Sequence, residues 1–275
     1  MFVSPMLLEY AADNKPFNDD KYITELKWDG IRLVPRNINR PRLYTRHENE
    51  ITANFPELIE SMPIPSGTIL DSELVVPNAE GKADFAATME RFQSSKSKHK
   101  VTIVAFDIIK YKNRDMTYLP LTERKKYLED SFVDNDYFVK SRYLTGKGIE
   151  YFNAVKQQGL EGIVLKRADS KYIIGKKSKY WQKVIAYEMG EFYLAGFRKD
   201  KFGWLLSDGN GIVGTMEYGP NSEERKAGYL MMKKYKTEET KDYVYTQPLM
   251  RCLVKHRGFT KNGMLRLPVF ERFLI

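Results

Sequence analysis

The apolar positions of this chain fall into short runs separated by polar turns, and the runs are of two kinds. Val101 to Ile109 (VTIVAFDII) and residues 67–76 (GTILDSELVV) are almost continuously apolar, the pattern of strands buried on both faces. Residues 161–166 (EGIVLK) repeat it, and residues 22–33 (YITELKWDGIRL) predict strand, tight turn and strand about Asp29-Gly30. Residues 121–130 (LTERKKYLED) and 149–158 (IEYFNAVKQQ) instead show helical spacing with charge on the outer face. Residues 94–100 (SSKSKHK) read as a polar turn. The first two thirds of the chain therefore predict mixed α and β structure.

After Tyr187 the runs become shorter and glycine punctuates them: EFYLAGFR (191–198), GWLLSDG (203–209), GIVGTMEYG (211–219) and QPLMRCLVKHRGF (247–259). One amphipathic segment, residues 222–235, interrupts them as a helix. Short strands around one helix suit a small OB-fold β-barrel, whose open face commonly grips nucleic acid. The expected fold class is α+β: a first domain of antiparallel sheets with helices at 1–188, then an OB-fold at 189–275.

Hydrophobic residues at 42% and aromatics at 13% suffice for packed cores, which excludes global disorder. Residues 189–275 carry 15 Lys+Arg against 10 Asp+Glu, so the last third holds more than half of the net charge of +9. That balance favours a phosphate polyanion as partner without naming it. The single cysteine, Cys252, supports neither a disulfide scaffold nor a thiolate zinc site, and His47, His99 and His256 are too scattered for a metal site. With no targeting segment or long apolar span, the expectation is a cytoplasmic, monomeric protein away from membranes.

Candidate chemistry concentrates at Glu25-Leu26-Lys27-Trp28-Asp29-Gly30-Ile31-Arg32, where a lysine and two carboxylates crowd a turn. A plain hairpin with Lys27 in water would produce the same pattern. Nucleophilic use of Lys27 needs an uncharged amine, favoured by nearby cations and partial burial. Such cations stand at Lys166, Arg167, Lys171, Lys176, Lys177, Lys179 and Lys183, opposed only by Asp169. Glu73, Asp107 and Glu161 each place an acid in an apolar strand; recurrence of so costly an arrangement points to a cation-binding cleft.

In this order and at these separations, the segments resemble the covalent nucleotidyltransferases and, within them, the ATP-dependent DNA ligases, over nearly the whole chain. Lys27-Trp28-Asp29-Gly30 is similar to the family's Lys-x-Asp-Gly motif I, with Arg32 in its following place. Thr45-Arg46 and Phe55-Pro56-Glu57-Leu58 resemble the next block, Asp71-Ser72-Glu73-Leu74 motif III and Ala105-Phe106-Asp107 motif IIIa. Residues 161–166 resemble motif IV, Trp181-Gln182-Lys183 motif V, and residues 120–124 (PLTER) a segment typical of these ligases. Two departures stand out: Ile185 replaces a second motif V lysine, and Leu265 to Phe273 resemble the approach to motif VI without its Asp-Lys.

The resemblance implies an adenylylation domain at 1–188 in which Lys27 attacks the α-phosphorus of ATP, expels pyrophosphate and keeps AMP as a phosphoramidate. It further implies that Glu73 and Glu161 hold Mg²⁺ (or Mn²⁺), that Glu73 and Arg32 approach the ribose, and that Phe106 stacks on adenine. Glu25 would face the adenine amino group, Lys166 and Lys183 the α-phosphate, and Arg46 the 5′-phosphate of nicked double-stranded DNA. Asp29 belongs to the motif, and Arg272 is the candidate for orienting pyrophosphate. Replication, repair and recombination of DNA all fit. RNA ligase or capping chemistry, and a non-catalytic nucleic-acid-binding relative, are the alternatives. The missing zinc cysteines disfavour an NAD-dependent ligase.

Overall fold

Strands apolar on both faces need a covering layer on each side, and the first part of the chain supplies both. The computed structural model describes residues 3–274, and the chain divides between Ala186 and Tyr187 into two compact units.

The first unit opens with β1 (Leu7–Tyr10), β2 (Tyr22–Leu26), β3 (Ile31–Asn37), β4 (Pro41–Thr45) and α1 (Pro56–Glu60). It continues through β5 (Thr68–Val75), α2 (Phe85–Gln93), β6 (Thr102–Tyr111), β7 (Arg114–Asp115) and α3 (Leu121–Ser131). β8 (Phe138–Lys140), β9 (Tyr143–Thr145), α4 (Gly148–Gln157), β10 (Gly162–Arg167) and β11 (Lys177–Ile185) complete it. One sheet runs β1-β11-β10-β2-β9; the other runs β4-β3-β5-β6-β7, with β8 beside β6. All pairings are antiparallel except β1 with β11 and β6 with β8.

Alternation along the strands sets the layers. Leu33, Leu70, Ile103 and Ile108 face α1, α2 and the Leu128 end of α3 in one core cluster. Their neighbours Val34, Ile69, Phe106 and Ile109 face the other sheet and pack with Ile23, Tyr172 and Trp181. On that sheet's far side Ile163, Leu165 and Val184 meet Val155 of α4. Polar residues at alternate positions, Arg32, Asp71 and Glu73, thus enter the space between the sheets.

The expected hairpin about Asp29-Gly30 does not form. β2 pairs with β10 and β9, whereas β3 pairs with β4 and β5, so residues 27–30 cross from one sheet to the other. Gly30 is required at the crossing: a Cβ there would lie 2.2 Å from the Leu74 carbonyl oxygen. Several strands fall outside the expected segments, β1, β4, β7, β8 and β9 among them. The basic run of 177–185 is β11, stitched to β10 from Gly162 to Lys166, and Val269–Leu274 form a further strand.

The second unit contains β12 (Glu188–Arg198), β13 (Trp204–Ser207), β14 (Ile212–Met216), α5 (Ser222–Lys234), β15 (Lys236–Glu239), β16 (Tyr243–His256) and β17 (Val269–Leu274). Its strands follow the order β14-β13-β12-β16-β15, with β17 on β16. A register shift near Leu194 and Gly196 bends β12, and a Tyr218 to Val269 bridge joins the segment after β14 to β17. The sheet so curls on itself, as a small barrel requires. Inside it Trp204 is fully buried against Phe270, and Gly228 of α5 lets the helix rest on the indole: a Cβ there would be 2.4 Å from the ring. Asn221 and Glu224 cap α5 with a reciprocal capping box.

Candidate active site

The crossing at residues 27–30 opens into a cavity of about 310 Å³ between the two sheets of the first unit, within the range usual for small-ligand sites. Glu25, Lys27, Arg32, Arg46, Glu73, Phe106, Lys166 and Lys183 all line it, together with Trp28, Lys177 and Trp181. Sequence neighbours explain little of this grouping; the inner faces of β2, β3, β5, β6, β10 and β11 bring it about.

Lys27 follows the last residue of β2, and its N–H extends the ladder by donating to the Gly162 carbonyl at 2.9 Å. Its Nζ lies 2.6 Å from Oε1 of Glu161, the two side chains being 21% and 4% exposed. The nearest charged group is therefore an acid, not the cations that the sequence places downstream. Gly162 keeps β10 close to β11 beside this pair; its φ of 148° is open to glycine, and a Cβ would lie 2.1 Å from the Val184 carbonyl oxygen.

Glu25 and Lys166 are buried and bonded to each other, Nζ to Oε2 at 2.9 Å. Lys125 of α3 stands 2.5 Å from the other carboxylate oxygen as an ion pair, without the geometry of a hydrogen bond. Lys166 also lies 4.4 Å from the Phe106 ring centre and 4.2 Å from that of Trp181. Burial pushes its ammonium down to about 8, against the pull of Glu25.

Arg32 forms a bidentate pair with the fully buried Asp71, at 2.5 and 2.6 Å, and lies 4.5 Å over the Phe106 ring. Burial opposes its charge, but Asp71 more than offsets that and leaves the guanidinium raised above its ordinary value. Tyr172 donates its hydroxyl to Asp71 at 2.6 Å and accepts the Met6 N–H at 3.0 Å, which clamps the N-terminal segment to the site.

Glu73 is half-buried and makes no hydrogen bond or ion pair among the described residues. Burial pushes its carboxyl up to about 7, opposed by Arg32 and Lys27 and reinforced by Glu161. No group of three or more His, Cys, Asp or Glu side chains gathers as a metal cluster among the described residues. Asp107 is not part of any cation cleft: its counter-ion is Arg124, bound through two hydrogen bonds of 2.8 Å in full burial. Arg124 overcomes the cost of burial and holds that carboxyl below its usual range.

Lys183 and Lys177 reach the cavity from β11, with Lys183 4.1 Å from the Tyr10 ring centre. Lys176 and Lys179 are exposed and do not line it. Ile185 is buried, its backbone clasped by Asn14 through two hydrogen bonds of 2.8 Å, and it too is absent from the cavity wall. Arg46 stands exposed just past β4 and donates Nε to His47 Nε2 at 2.9 Å. Asp29 is half-buried outside the cavity lining, and Arg272 is exposed on β17 of the second unit.

Arg124, Lys125 and Tyr172 carry roles that the sequence reading misses. The charge of α3 was expected outside, yet Arg124 and Lys125 are 0% and 5% exposed. The available signal was the strand acids: buried carboxylates need counter-ions, and adjacent basic residues on one helix can serve two of them.

A sequence model of the ATP dependent DNA ligase domain matches residues 5–184. The chain is 44% identical over 277 aligned residues, covering 100% of both proteins, to the SPbeta prophage-derived DNA ligase-like protein LigB of Bacillus subtilis. It is 26% identical to the multifunctional non-homologous end joining DNA repair protein LigD of Mycobacterium tuberculosis over 88% of this chain, but spans only 34% of that protein. Among solved structures, the ligase domain of M. tuberculosis LigD aligns with a TM-score of 0.60 at 22% identity, covering 99% of this chain and 95% of that one. A Lig E DNA ligase, titled as binding DNA with a minimal scaffold, aligns with a TM-score of 0.72 at 20% identity over 100% of both. At such identities the two structures speak to the fold alone.

Proposed function

The chain belongs to the ATP-dependent DNA ligase family, and from that premise we propose that it seals nicks in duplex DNA through AMP carried on Lys27. The observation that bears most weight is the position of Lys27: on the wall of an open cavity, its Nζ paired with Glu161, among cations and aromatic rings.

Attack requires the Nζ lone pair to face phosphorus, so its proton must leave first. Oε1 of Glu161, at 2.6 Å, is the acceptor in place to take it. Lys183, Lys177 and Lys166 are the cavity cations that can meet phosphate oxygens, Lys166 in competition with its bond to Glu25. Phosphoryl transfer depends mainly on such positioning and charge compensation. The aromatic and carboxylate end of the cavity, Phe106, Trp181 and Glu25, suits a purine base.

Glu73 fits a divalent cation: it is a half-buried carboxylate with no hydrogen bond or ion pair among the described residues, and the charge of Glu161 is close enough to disfavour its own. Mg²⁺, which binds through one or two carboxylates and substrate phosphates, would there neutralise phosphate charge. Arg46 at the cavity rim is the candidate clamp for the 5′-phosphate of the nick, its planar fork suiting phosphate. Residues 1–186 act as the adenylylation domain and 187–275 as an OB-fold domain. No helix is long and apolar enough to cross a membrane among the described residues. A cytoplasmic monomer, with Cys252 buried and unpaired, is the working form.

Incubation with α-labelled ATP and Mg²⁺ should leave label on the peptide containing Lys27, released by acidic hydroxylamine. Lys27→Ala should lose both label and sealing of nicked DNA by ATP; label retained on that variant would remove Lys27 from the chemistry. Parallel nicked RNA and GTP reactions should be the weaker ones.

A further inference from the structure

Glu25 is 2% exposed and has two lysine partners that differ in access. Lys166 lines the cavity, over the rings of Phe106 and Trp181. Lys125 does not line it; it lies behind Glu25, its Nζ 5.3 Å from the Tyr143 ring centre and its helix fixed next door by the Arg124 pairing to Asp107. We propose that Lys125 is a positioning residue for purine recognition, holding Glu25 as a hydrogen-bond acceptor turned toward the base and so selecting a 6-amino over a 6-oxo purine. This rests on the nucleotide reading of the cavity given above.

A carboxylate offers two lone pairs on each oxygen, so Glu25, hydrogen-bonded through Oε2 to Lys166 and paired by charge through Oε1 with Lys125, keeps acceptor capacity. A 6-amino group brings donors to it, whereas a 6-oxo group sets acceptor against acceptor. Lys166 alone is an unreliable partner once nucleotide enters. Its charge is already disfavoured by burial, and any phosphate oxygen within its reach competes with Glu25 for the same ammonium. A buried carboxylate that lost its only counter-ion would turn away, take up a proton or disrupt its surroundings. Lys125 prevents this because nothing in the cavity can reach it. The purine-reading oxygen therefore stays in one place through the cycle.

The test uses the full chain as wild type, Lys125→Met and Lys125→Arg. Initial rates of lysyl-nucleotide formation are measured for ATP, GTP and the triphosphate of purine riboside, which lacks the 6-amino group. Wild type should prefer ATP by at least about 10-fold, as a site built around a specific hydrogen bond does. Lys125→Met should collapse both preferences to about 3-fold or less, and Lys125→Arg should restore most of them. Each ratio comes from one preparation, so a partly misfolded variant does not distort it. Full wild-type selectivity in Lys125→Met, whatever its absolute rate, overturns the inference. A wild-type protein that forms no lysyl-nucleotide at all overturns the ligase reading and this inference with it.

Discussion

Glu73 shows how one side chain can be costly to the fold and useful to the site. Burial raises its carboxyl to about 7, above the ordinary value near 4.5, so the unfolded chain releases this proton more readily than the folded one. Its folded form is therefore undisturbed below pH ~4.5 and loses stability as the pH rises through 7. Glu73→Gln, which carries no charge, should be more stable than wild type by about 1–3 kcal/mol at pH 8, with the gain fading near pH 4.5. Urea denaturation of the nucleotide-free protein at the two pH values measures this; an equal effect at both would remove burial as the cause. The same reasoning separates what was legible at this scale from what was not. An acid within an apolar strand is visible in the sequence at Glu73, Asp107 and Glu161 alike. Its partner is not: Lys27 pairs with Glu161, Arg124 holds Asp107, and Glu73 makes no hydrogen bond or ion pair among the described residues. Partner identity depends on which faces meet across two sheets, a long-range fact absent from local pattern.

Elements repeat that distinction. The strands at 22–26, 68–75 and 102–111 and the helices at 121–131 and 148–157 follow from local periodicity, and each lies where the apolar pattern indicates. The pairing of β2 with β3 does not follow, because an Asp-Gly step is compatible with a hairpin and with a crossover, and only the strands' other partners decide between them. The decision is what creates the cavity, since a hairpin would have kept Lys27 and Arg32 on one ribbon. Gly30 carries much of that geometry by letting the crossing chain touch the β5 backbone. Gly30→Ala would force a Cβ to within 2.2 Å of the Leu74 carbonyl oxygen and 2.9 Å of Val75 Cγ1. Relief demands separation of β3 from β5 and should cost about 2–3 kcal/mol. Lysyl-AMP formation should fall along with stability, since Lys27 and Arg32 flank the displaced step; denaturant midpoint and labelling rate, measured together, check it. A variant with unchanged midpoint and rate would mean the crossing has slack that the contacts do not indicate.

At the scale of the whole molecule, the two units differ in how they are built. The first is layered, with helices outside a pair of sheets and a polar cavity between them. The second surrounds a single aromatic cluster, in which Trp204 meets Phe202, Tyr229, Phe270 and Phe273. Every one of those contacts is internal to residues 187–275, and the capping box of α5 is likewise local. A core that is complete within its own segment should fold without the rest, as domains of this kind do. Residues 187–275 produced alone should therefore melt cooperatively. Trp204, the only tryptophan in the segment and 0% exposed, gives the readout, its buried-indole emission shifting to the red in one sigmoidal step that coincides with loss of circular dichroism. A gradual shift, or indole emission already typical of water at low temperature, would show that the barrel's core depends on the preceding sheets, and the chain would then have to be treated as one cooperative body.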